Sequence, residues 1–204
     1  MSYLNLRKKL SAMDSKAQLE KFLIFNTSLV LAGIKPAVTI TISKKNNKIF
    51  DLWNQLGKGF IGNLSLNSIV LRENENALIL FIYDEVILSK NLNQKDTIEF
   101  LRTISYPEEF NLDVYIDWLK KRYELYNCPH ELGLFLGIPY KDVKDFMECS
   151  NKKCLLCGYW KVYNDFEKAE SIFKKYDMVK EYTSMKISKG ILTSELVKNI
   201  KNIC

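Results

Sequence analysis

The sequence predicts an α+β protein with a single domain over residues 1–204, in which helices pack on a small mixed or antiparallel sheet of about four strands. Hydrophobic residues make up 47% of the chain and charged residues 26%, which is the usage of a globular protein. Segments with period-two hydrophobicity alternate irregularly with segments of helical period, and no repeat or Gly/Ser linker separates them. A helical hairpin near residues 129–148 completes the predicted fold.

In the first half of the chain, helix starts and strands follow one another in mixed order. Asp14 and Ser43 are typical N-cap residues. Residues 37–42 alternate in hydrophobicity after Pro36, and two later apolar segments flank an Asn-rich turn that suits a β-hairpin. The predicted elements are a helix from Asp14 to about Phe25, a strand over 37–42, a helix from Ser43 to about Leu56 with a buried stripe of Ile49, Trp53 and Leu56, and hairpin strands over 68–73 and 77–84.

The second half of the chain is mostly helical by the same criteria. Asn93 and Asn111 stand at N-cap positions, and a Tyr-Pro pair separates the helices that follow them. Asn164 and Glu167 form a capping-box signal. The predicted elements are helices near 94–104, 112–126, 164–176 and 194–203 and a strand over 158–163, and the helix near 112–126 is expected to bury Leu112, Tyr115, Ile116, Leu119, Tyr123 and Tyr126.

Residues 57–62 read Gly-Lys-Gly-Phe-Ile-Gly, which matches the G-x-G-x-x-G string of dinucleotide-binding loops. That fingerprint needs a strand before it and a helix after it, because the phosphate binds at the helix N-terminus. Here a predicted helix precedes the string and a predicted strand follows it. The sequence therefore predicts a helix C-cap at Gly57 and a flexible turn, rather than a nucleotide site.

The segment from Cys128 to Tyr163 holds the most distinctive residues. Pro129 suits the first position of a short helix that Gly137 ends, and a second short helix runs to about Glu148. This second helix is expected to bury Val143, Phe146 and Met147. In the strand that follows, alternate side chains face opposite sides, with Trp160 and Val162 on one side and Tyr159, Lys161 and Tyr163 on the other.

Four stretches of the chain carry a family resemblance. They are Leu31-Ala32-Gly33-Ile34-Lys35-Pro36, Pro129-His130-Glu131, Leu136-Gly137-Ile138-Pro139 and Gly158-Tyr159-Trp160-Lys161-Val162-Tyr163. Together they resemble a bacterial family catalogued as domain of unknown function 3793, over about residues 25–180, with residues 181–204 as a carboxy-terminal extension. The resemblance implies no established activity. Because genes of the family lie near flavodoxin and ferrous-iron transport genes, it implies a link to iron or redox metabolism.

The cysteines of the distinctive segment suggest a metal site. Cys149, Cys154 and Cys157 have the C-x4-C-x2-C spacing of two-iron clusters, and the last two alone have the spacing of half a zinc site. Candidates for a fourth ligand are Cys128, His130 and Cys204. Zinc or an iron–sulfur cluster is the cofactor that this spacing would accept. The loop between the first two cysteines lacks the small residues typical of cluster loops, so free thiols are the alternative.

Residues 132–147 also match the spacing of a helix-turn-helix. Gly133 and Gly137 occupy its small-residue and turn positions. The second helix carries Asp142 and Asp145 and no Arg, Asn or Gln that could read bases, so two carboxylates would face phosphate. A DNA-binding regulator is therefore an alternative function, and a purely structural helical hairpin uses the same spacing.

His130 is the only histidine of the chain, and it adjoins Glu131 at a predicted helix start. Free backbone N–H groups at such a start can hold an anion, and an imidazole can act as acid or base near neutral pH. Both residues are therefore candidates for catalysis, with capping or packing as the alternative. The predicted ligand site lies where this helix start meets the strand around Trp160, and its residues are His130, Glu131, Trp160, Lys161 and Tyr163.

Composition indicates the setting of the protein. Five cysteines without a predicted export signal favour a reducing cytoplasm over a disulfide framework. The apolar runs are far shorter than the ~20 residues of a membrane span, so no membrane partner is expected. The net charge of +6 comes with a Lys-rich composition throughout and is little reason to expect nucleic acid.

Taken together, these patterns predict a cytoplasmic ligand- or metal-binding module whose partner is a small-molecule or anionic ligand. The alternatives are the DNA-binding regulator built on residues 132–147 and a protein-interaction module. The patterns do not decide whether the protein is an enzyme.

Overall fold

The computed structural model describes residues 10, 13–45, 47–148 and 151–203. In chain order its elements are α1 (Ser15–Leu31), β1 (Ala37–Ser43), α2 (Asn47–Leu52), a π-helical turn (Trp53–Gly57), α3 (Lys58–Asn63), β2 (Asn67–Glu73), β3 (Ala77–Tyr83), α4 (Glu85–Leu92), α5 (Lys95–Thr103), α6 (Leu112–Tyr126), α7 (Leu132–Phe135), α8 (Tyr140–Met147), β4 (Leu156–Cys157), β5 (Lys161–Val162), α9 (Phe166–Ser188) and α10 (Thr193–Lys201). The predicted α+β class is confirmed. In the part of the chain covered by these ranges, no helix combines the length and hydropathy needed to cross a bilayer.

The chain divides into two compact units. The first unit contains Met1–Asp84 and Lys175–Cys204, and the second contains Glu85–Lys174. Helix α9 therefore contributes its first turns to the second unit and its remainder to the first. The assignment of residues 1–204 to one domain stays a prediction.

The sheet of the first unit is antiparallel, with the strand order β1-β3-β2. Strand β1 alternates buried and exposed residues along 38–43, as its period-two pattern predicts. The predicted hairpin is confirmed: Asn74 closes its turn, because Oδ1 accepts hydrogen bonds from the N–H groups of Asn76 and Ala77 at 2.9 Å. The strand predicted over 158–163 does not join this sheet, since its residues 161–162 pair with 156–157 in a separate two-stranded sheet.

Helix α1 begins at the predicted cap and runs well beyond the predicted end near Phe25. Asp14 Oδ1 accepts hydrogen bonds from the N–H groups of Lys16 and Ala17 at 3.1 Å. The three residues after Phe25 are polar, and the helix continues through them. Their side chains donate to carbonyls one turn back, Asn26 to Phe22 at 2.8 Å, Thr27 to Leu23 at 2.8 Å and Ser28 to Phe25 at 2.9 Å.

The glycine string is helical, so the predicted C-cap at Gly57 and the flexible turn are wrong. Gly57 has φ −62°, and the helical backbone continues to Asn63. A Cβ at Gly57 would lie 2.1 Å from Cε3 of Trp53, so the glycine makes room for the indole ring. The π-helical turn also shifts the buried face, because the extra residue in the turn rotates the positions after it. Leu56, predicted to lie in the buried stripe with Trp53, is 42% exposed.

Two lysines of the first unit lie in largely apolar surroundings. The Lys180 ammonium on α9 donates to the carbonyl of Phe25 at 2.6 Å and lies 4.5 Å from the centroid of the Phe25 ring. Burial, followed by the positive charge of Lys35, lowers the pKa of Lys180 to about 7. Burial also lowers the pKa of Lys35, whose ammonium lies 6.0 Å from the centroid of the Tyr176 ring, to about 8.

These shifts predict how stability depends on pH. Between about pH 7 and pH 9 the unfolded chain keeps the lysine protons that the folded chain has already released, because its lysines titrate near 10.5. The free energy of unfolding should therefore rise with pH over this range. Lys180→Met should flatten the rise, whereas Lys189→Met, at an exposed position, should not. Urea denaturation at several pH values measures both slopes, and an unchanged slope in Lys180→Met would contradict the prediction.

The second unit departs from the sequence prediction mainly at helix ends. Helix α4 was not predicted, and the N-cap residue of α5 is Gln94 rather than the predicted Asn93. Helix α6 has the predicted bounds and cap, since Asn111 Oδ1 accepts a hydrogen bond from the N–H of Val114 at 3.1 Å. Four residues of its predicted face are buried, but Tyr126, in the last turn, is exposed.

Candidate functional site

The predicted helical hairpin is present as α7 and α8, but α7 begins later than expected. Residues 129–131 form a turn in which the N–H groups of Leu132 and Gly133 donate to the carbonyls of Pro129 and His130 at 3.1 and 3.0 Å. These N–H groups are therefore engaged, and His130 does not stand in the first turn of the helix. The predicted anion site depended on a helix start beside His130, but the helix begins at Leu132.

Glycines let the two short helices approach each other closely. Gly137 has φ +79°, which is the left-handed conformation expected of a turn glycine. A Cβ at Gly133 would lie 3.0 Å from Cγ2 of Val143 on α8. Val143 is buried as predicted, but Phe146 is 39% exposed, so its predicted burial is wrong. The Phe146 ring is exposed because it faces a cavity.

Asp142 attaches helix α8 to the hairpin formed by β4 and β5. Its carboxylate is 3% exposed and accepts four hydrogen bonds. Oδ2 accepts from the indole N–H of Trp160 at 2.8 Å. Oδ1 accepts from the N–H of Tyr163 at 2.9 Å, from the N–H of Asn164 at 3.1 Å and from the Asn164 side-chain amide at 2.9 Å. Asp142 therefore fixes both the indole and the backbone that follows β5.

Trp160 is held from its other side by α9. Its ring meets the ring of Phe173 edge-on, with centroids 4.5 Å apart. A Cβ at Gly158 would lie 2.4 Å from Cε2 of Phe173, so only glycine allows the turn of the hairpin to pack this closely. Trp160 and Val162 are buried while Lys161 is exposed, which is the alternation that the sequence predicts.

An open cavity of about 420 Å³ lies between the hairpin turn, α7, α8 and the turn before α7. We call it the aromatic pocket. Its lining combines aliphatic side chains with the rings of His130, Phe146, Tyr159 and Trp160. Its lining residues are Cys128, Pro129, His130, Leu132, Gly133, Leu136, Ile138, Asp142, Val143, Phe146, Tyr159, Trp160 and Lys161.

The Phe146 ring is the common neighbour of two polar groups at the mouth of the aromatic pocket. The imidazole of His130 meets it edge-on, with ring centroids 4.9 Å apart. The ammonium of Lys161 lies 5.5 Å from its centroid, within the range of a cation–π contact. The structure thus brings together three of the predicted site residues, His130, Trp160 and Lys161.

Glu131, also predicted as a site residue, does not line the aromatic pocket. Its side chain is 1% exposed, and Oε1 accepts a hydrogen bond from Nε of Arg122 on α6. The hydroxyl of Tyr106 lies 3.5 Å from the same oxygen. Burial, and then the charge of Glu131, raises the pKa of Tyr106 far above its usual value. Burial is the largest single effect on Arg122 and lowers its pKa, but the hydrogen bond and the negative charge of Glu131, with smaller contributions from Tyr106 and Tyr126, together leave the pKa of Arg122 raised.

Tyr163, the last predicted ligand residue, lines a different cavity of the second unit. This second cavity, whose lining mixes polar and apolar groups, has a volume of about 960 Å³. Its walls come from the starts of α5, α8 and α9 and include Lys152, whose ammonium donates to Asp145 at 2.9 Å. That hydrogen bond, with one from Asn164, lowers the pKa of Asp145. Asp142 and Ile138 line both cavities, so these two residues lie between the aromatic pocket and the second cavity.

The structure describes only some of the predicted metal ligands. Cys149 and Cys204 lie outside the described residues. Cys128, Cys154 and Cys157 are exposed free thiols, and Sγ of Cys154 donates to the carbonyl of Leu156 at 3.3 Å. Among the residues that the structure describes, no group of three or more His, Cys, Asp or Glu side chains could hold a metal ion. The site of Cys149, Cys154 and Cys157 stays a prediction.

The contacts of α8 also bear on the helix-turn-helix hypothesis. Its N-terminal half turns Asp142 and Val143 inward, so Asp142 is used in packing and does not face a phosphate backbone. Asp145 remains half-buried, paired with Lys152. DNA binding through residues 132–147 stays a prediction.

Two residues that build the aromatic pocket were not among the predicted site residues. The sequence singles out Asp142 only for its charge and Phe146 only as a predicted core residue. A signal for Asp142 exists in the sequence: a buried tryptophan needs an acceptor for its indole N–H, and an acidic residue in a nearby amphipathic helix can supply it. No sequence signal distinguishes a phenylalanine that walls a cavity from one that fills a core.

The model of a family described as proteins of unknown function, DUF3793, matches residues 23–197 of the chain. The match extends beyond the predicted limit near residue 180, so most of the predicted carboxy-terminal extension lies within it. No curated protein and no solved structure matches the sequence.

Proposed function

This chain belongs to the DUF3793 family of proteins of unknown function, and we propose that it binds a small planar organic molecule in the aromatic pocket. The observation that carries the proposal is the wall of rings around an open cavity of about 420 Å³. Pockets of this volume, with a mostly apolar lining and few polar groups, are typical of small-molecule sites.

The aromatic side chains support this proposal because the fold leaves them open to the cavity. Phe146 on α8 is 39% exposed and Tyr159, in the bend between β4 and β5, is 41% exposed, although both side chains are large and aromatic. A flat ring placed between them would remove their faces from water and gain stacking contacts. Trp160 gives the pocket a rigid side, because Asp142 and Phe173 fix its indole.

We place this function in the cytoplasm, where exposed free thiols such as Cys128, Cys154 and Cys157 stay reduced. Because Cys128 lines the pocket, a reducing compartment would also keep that wall unmodified. The link to iron or redox metabolism stays a prediction. A planar, redox-active molecule is one kind of ligand that would connect the aromatic pocket with such a role.

Binding of a neutral probe, N-phenyl-1-naphthylamine, tests the proposed function. We expect saturable binding at one site, with increased fluorescence as the naphthyl ring leaves water. Phe146→Ala should weaken binding about tenfold, because it removes a ring that contacts the ligand. Calorimetry or equilibrium dialysis gives the dissociation constants.

The matched control is Leu125→Ala, which shortens another exposed apolar side chain outside the pocket. It should leave the affinity unchanged, and Tyr159→Ala serves as a second pocket variant if Phe146→Ala is poorly folded. The absence of saturable binding, or equal affinities in the pocket and control variants, would rule out the proposed function.

A further inference from the structure

Two nitrogen-bearing side chains at the mouth of the aromatic pocket have no polar partner in the described ranges of the chain. His130 and Lys161 are both exposed, and each contacts the Phe146 ring. Neither side chain makes a hydrogen bond or an ion pair with any residue that the structure describes. The mouth of a mostly apolar cavity therefore carries two side chains, His130 and Lys161, whose nitrogen atoms are free to hydrogen-bond a ligand.

An acidic residue of the pocket lining, Asp142, does not neutralise Lys161. Asp142 lines the pocket, but its two oxygens are occupied by the indole of Trp160 and by the N–H groups that follow β5. Among the residues that the structure describes, no other carboxylate lines the pocket. The positive charge of Lys161 is therefore available to a ligand, and an ion pair beside apolar walls is stronger than one in bulk water.

We propose that the aromatic pocket selects amphipathic monoanions: molecules with a planar apolar body and one carboxylate or sulfonate, which Lys161 and His130 bind at the mouth. This inference rests on the proposed function and specifies its ligand class. The body lies between Phe146, Tyr159 and Trp160, and the anionic group remains at the rim. A polyanion is disfavoured, because the rim offers one lysine and one imidazole.

The positions of the two donors are set by the backbone. Lys161 pairs with Cys157 in the hairpin, and its neighbours Trp160 and Val162 are buried, so the lysine must face outward beside the pocket. His130 lies in the turn that the carbonyl of Pro129 and the N–H of Leu132 close at 3.1 Å. The donors therefore meet a ligand without a rearrangement of the helices, which limits the entropy lost on binding.

Two probes that differ in their anionic group test this inference. 8-Anilinonaphthalene-1-sulfonate has the same anilinonaphthalene body as N-phenyl-1-naphthylamine and adds one sulfonate. We expect the sulfonate probe to bind about tenfold more tightly at low salt, as charge-assisted hydrogen bonds add to ring burial. The difference should shrink as salt is added.

Variants at the rim assign this preference to residues. Lys161→Met should weaken binding of the sulfonate probe about tenfold and change binding of the neutral probe less than about twofold. His130→Gln should act in the same direction with a smaller effect. Lys153→Met makes the same change of charge at an exposed position outside the pocket and should leave both affinities unchanged.

The outcomes separate this inference from the proposed function. If the neutral probe binds but the sulfonate adds nothing, or if Lys161→Met and Lys153→Met behave alike, the anion preference is wrong and the pocket remains. If neither probe binds saturably, the proposed function is wrong and the anion preference falls with it. A sulfonate probe whose binding survives Phe146→Ala is bound elsewhere on the surface, which also overturns the inference.

Discussion

Replacing Asp142 by alanine should lower the free energy of unfolding by about 3 kcal/mol, because a buried indole N–H and several half-buried donors lose their acceptor together. The indole N–H of Trp160 and the N–H groups of Tyr163 and Asn164 all donate to this carboxylate. Tyr163 and Asn164 are only half-buried, so water can satisfy part of what they lose. The indole of Trp160 is buried, so its N–H should remain without an acceptor when the Asp142 carboxylate is removed.

The matched control is Asp145→Ala, one turn further along α8. Asp145 pairs with Lys152 near the surface, and both side chains have access to water. Its replacement should lower the free energy of unfolding by about 1 kcal/mol or less. Urea denaturation measures both losses, and similar small values for the two variants would show that Asp142 does not hold the hairpin to α8.

The Asp142 variant also has a consequence for binding. Without its acceptor, the Trp160 ring loses its fixed orientation, so one wall of the aromatic pocket becomes less ordered. We expect the neutral naphthylamine probe to bind more weakly to folded Asp142→Ala and normally to Asp145→Ala. Although Asp142 lines the pocket, its oxygens are engaged by Trp160 and by the residues after β5, so we expect it to act on binding as a positioning residue, through Trp160.

The sequence predicted the parts of the fold that depend on local signals. Side-chain caps at Asp14 and Asn111 and the turn at Asn74 were placed correctly, because each depends on hydrogen bonds within a few residues. The glycine string was misplaced, since a glycine that makes room for an indole and a glycine that ends a helix look the same in sequence. Only the packing of Trp53 against Gly57 distinguishes them.

The candidate site was predicted in part, for a similar reason. The hairpin strand and the turn before α7 were identified as neighbours, and His130, Trp160 and Lys161 do line one cavity. The sequence does not show whether two adjacent residues in a turn direct their side chains to the same side. His130 and Glu131 are consecutive, yet one is exposed at the mouth of the pocket while the other is buried against Arg122.

Replacing Glu131 by leucine should lower the free energy of unfolding by about 3 kcal/mol, because it leaves the charge of Arg122 without its partner in a mostly buried place. The Arg122 side chain is 18% exposed, and it is also stacked near the rings of Tyr106 and Tyr126, with its Cζ 5.8 and 4.9 Å from their centroids. These contacts hold the guanidinium in position, so it cannot easily turn to water. Glu124→Leu, on the exposed side of α6, should cause little loss.

A double-mutant cycle separates the ion pair from the rest of the packing. Arg122→Met alone should also destabilise the protein, because it leaves the Glu131 carboxylate buried and unpaired. The double variant should lose about 2 kcal/mol less than the sum of the single losses, since two apolar side chains replace the pair. Additive losses would show that the two residues act independently and that the buried contact between them contributes little.

The same variants test whether Glu131 has the ligand or catalytic role that its position beside His130 suggests. Its carboxylate faces Arg122 and Tyr106 and does not line the aromatic pocket. Under conditions in which Glu131→Leu is folded, the neutral probe should therefore bind within about twofold of the unmodified protein. His130→Gln should show the opposite pattern, with nearly unchanged stability and weaker binding of the anionic probe. If folded Glu131→Leu, with the pocket otherwise intact, bound the neutral probe more weakly, Glu131 would have to be counted among the ligand-binding residues.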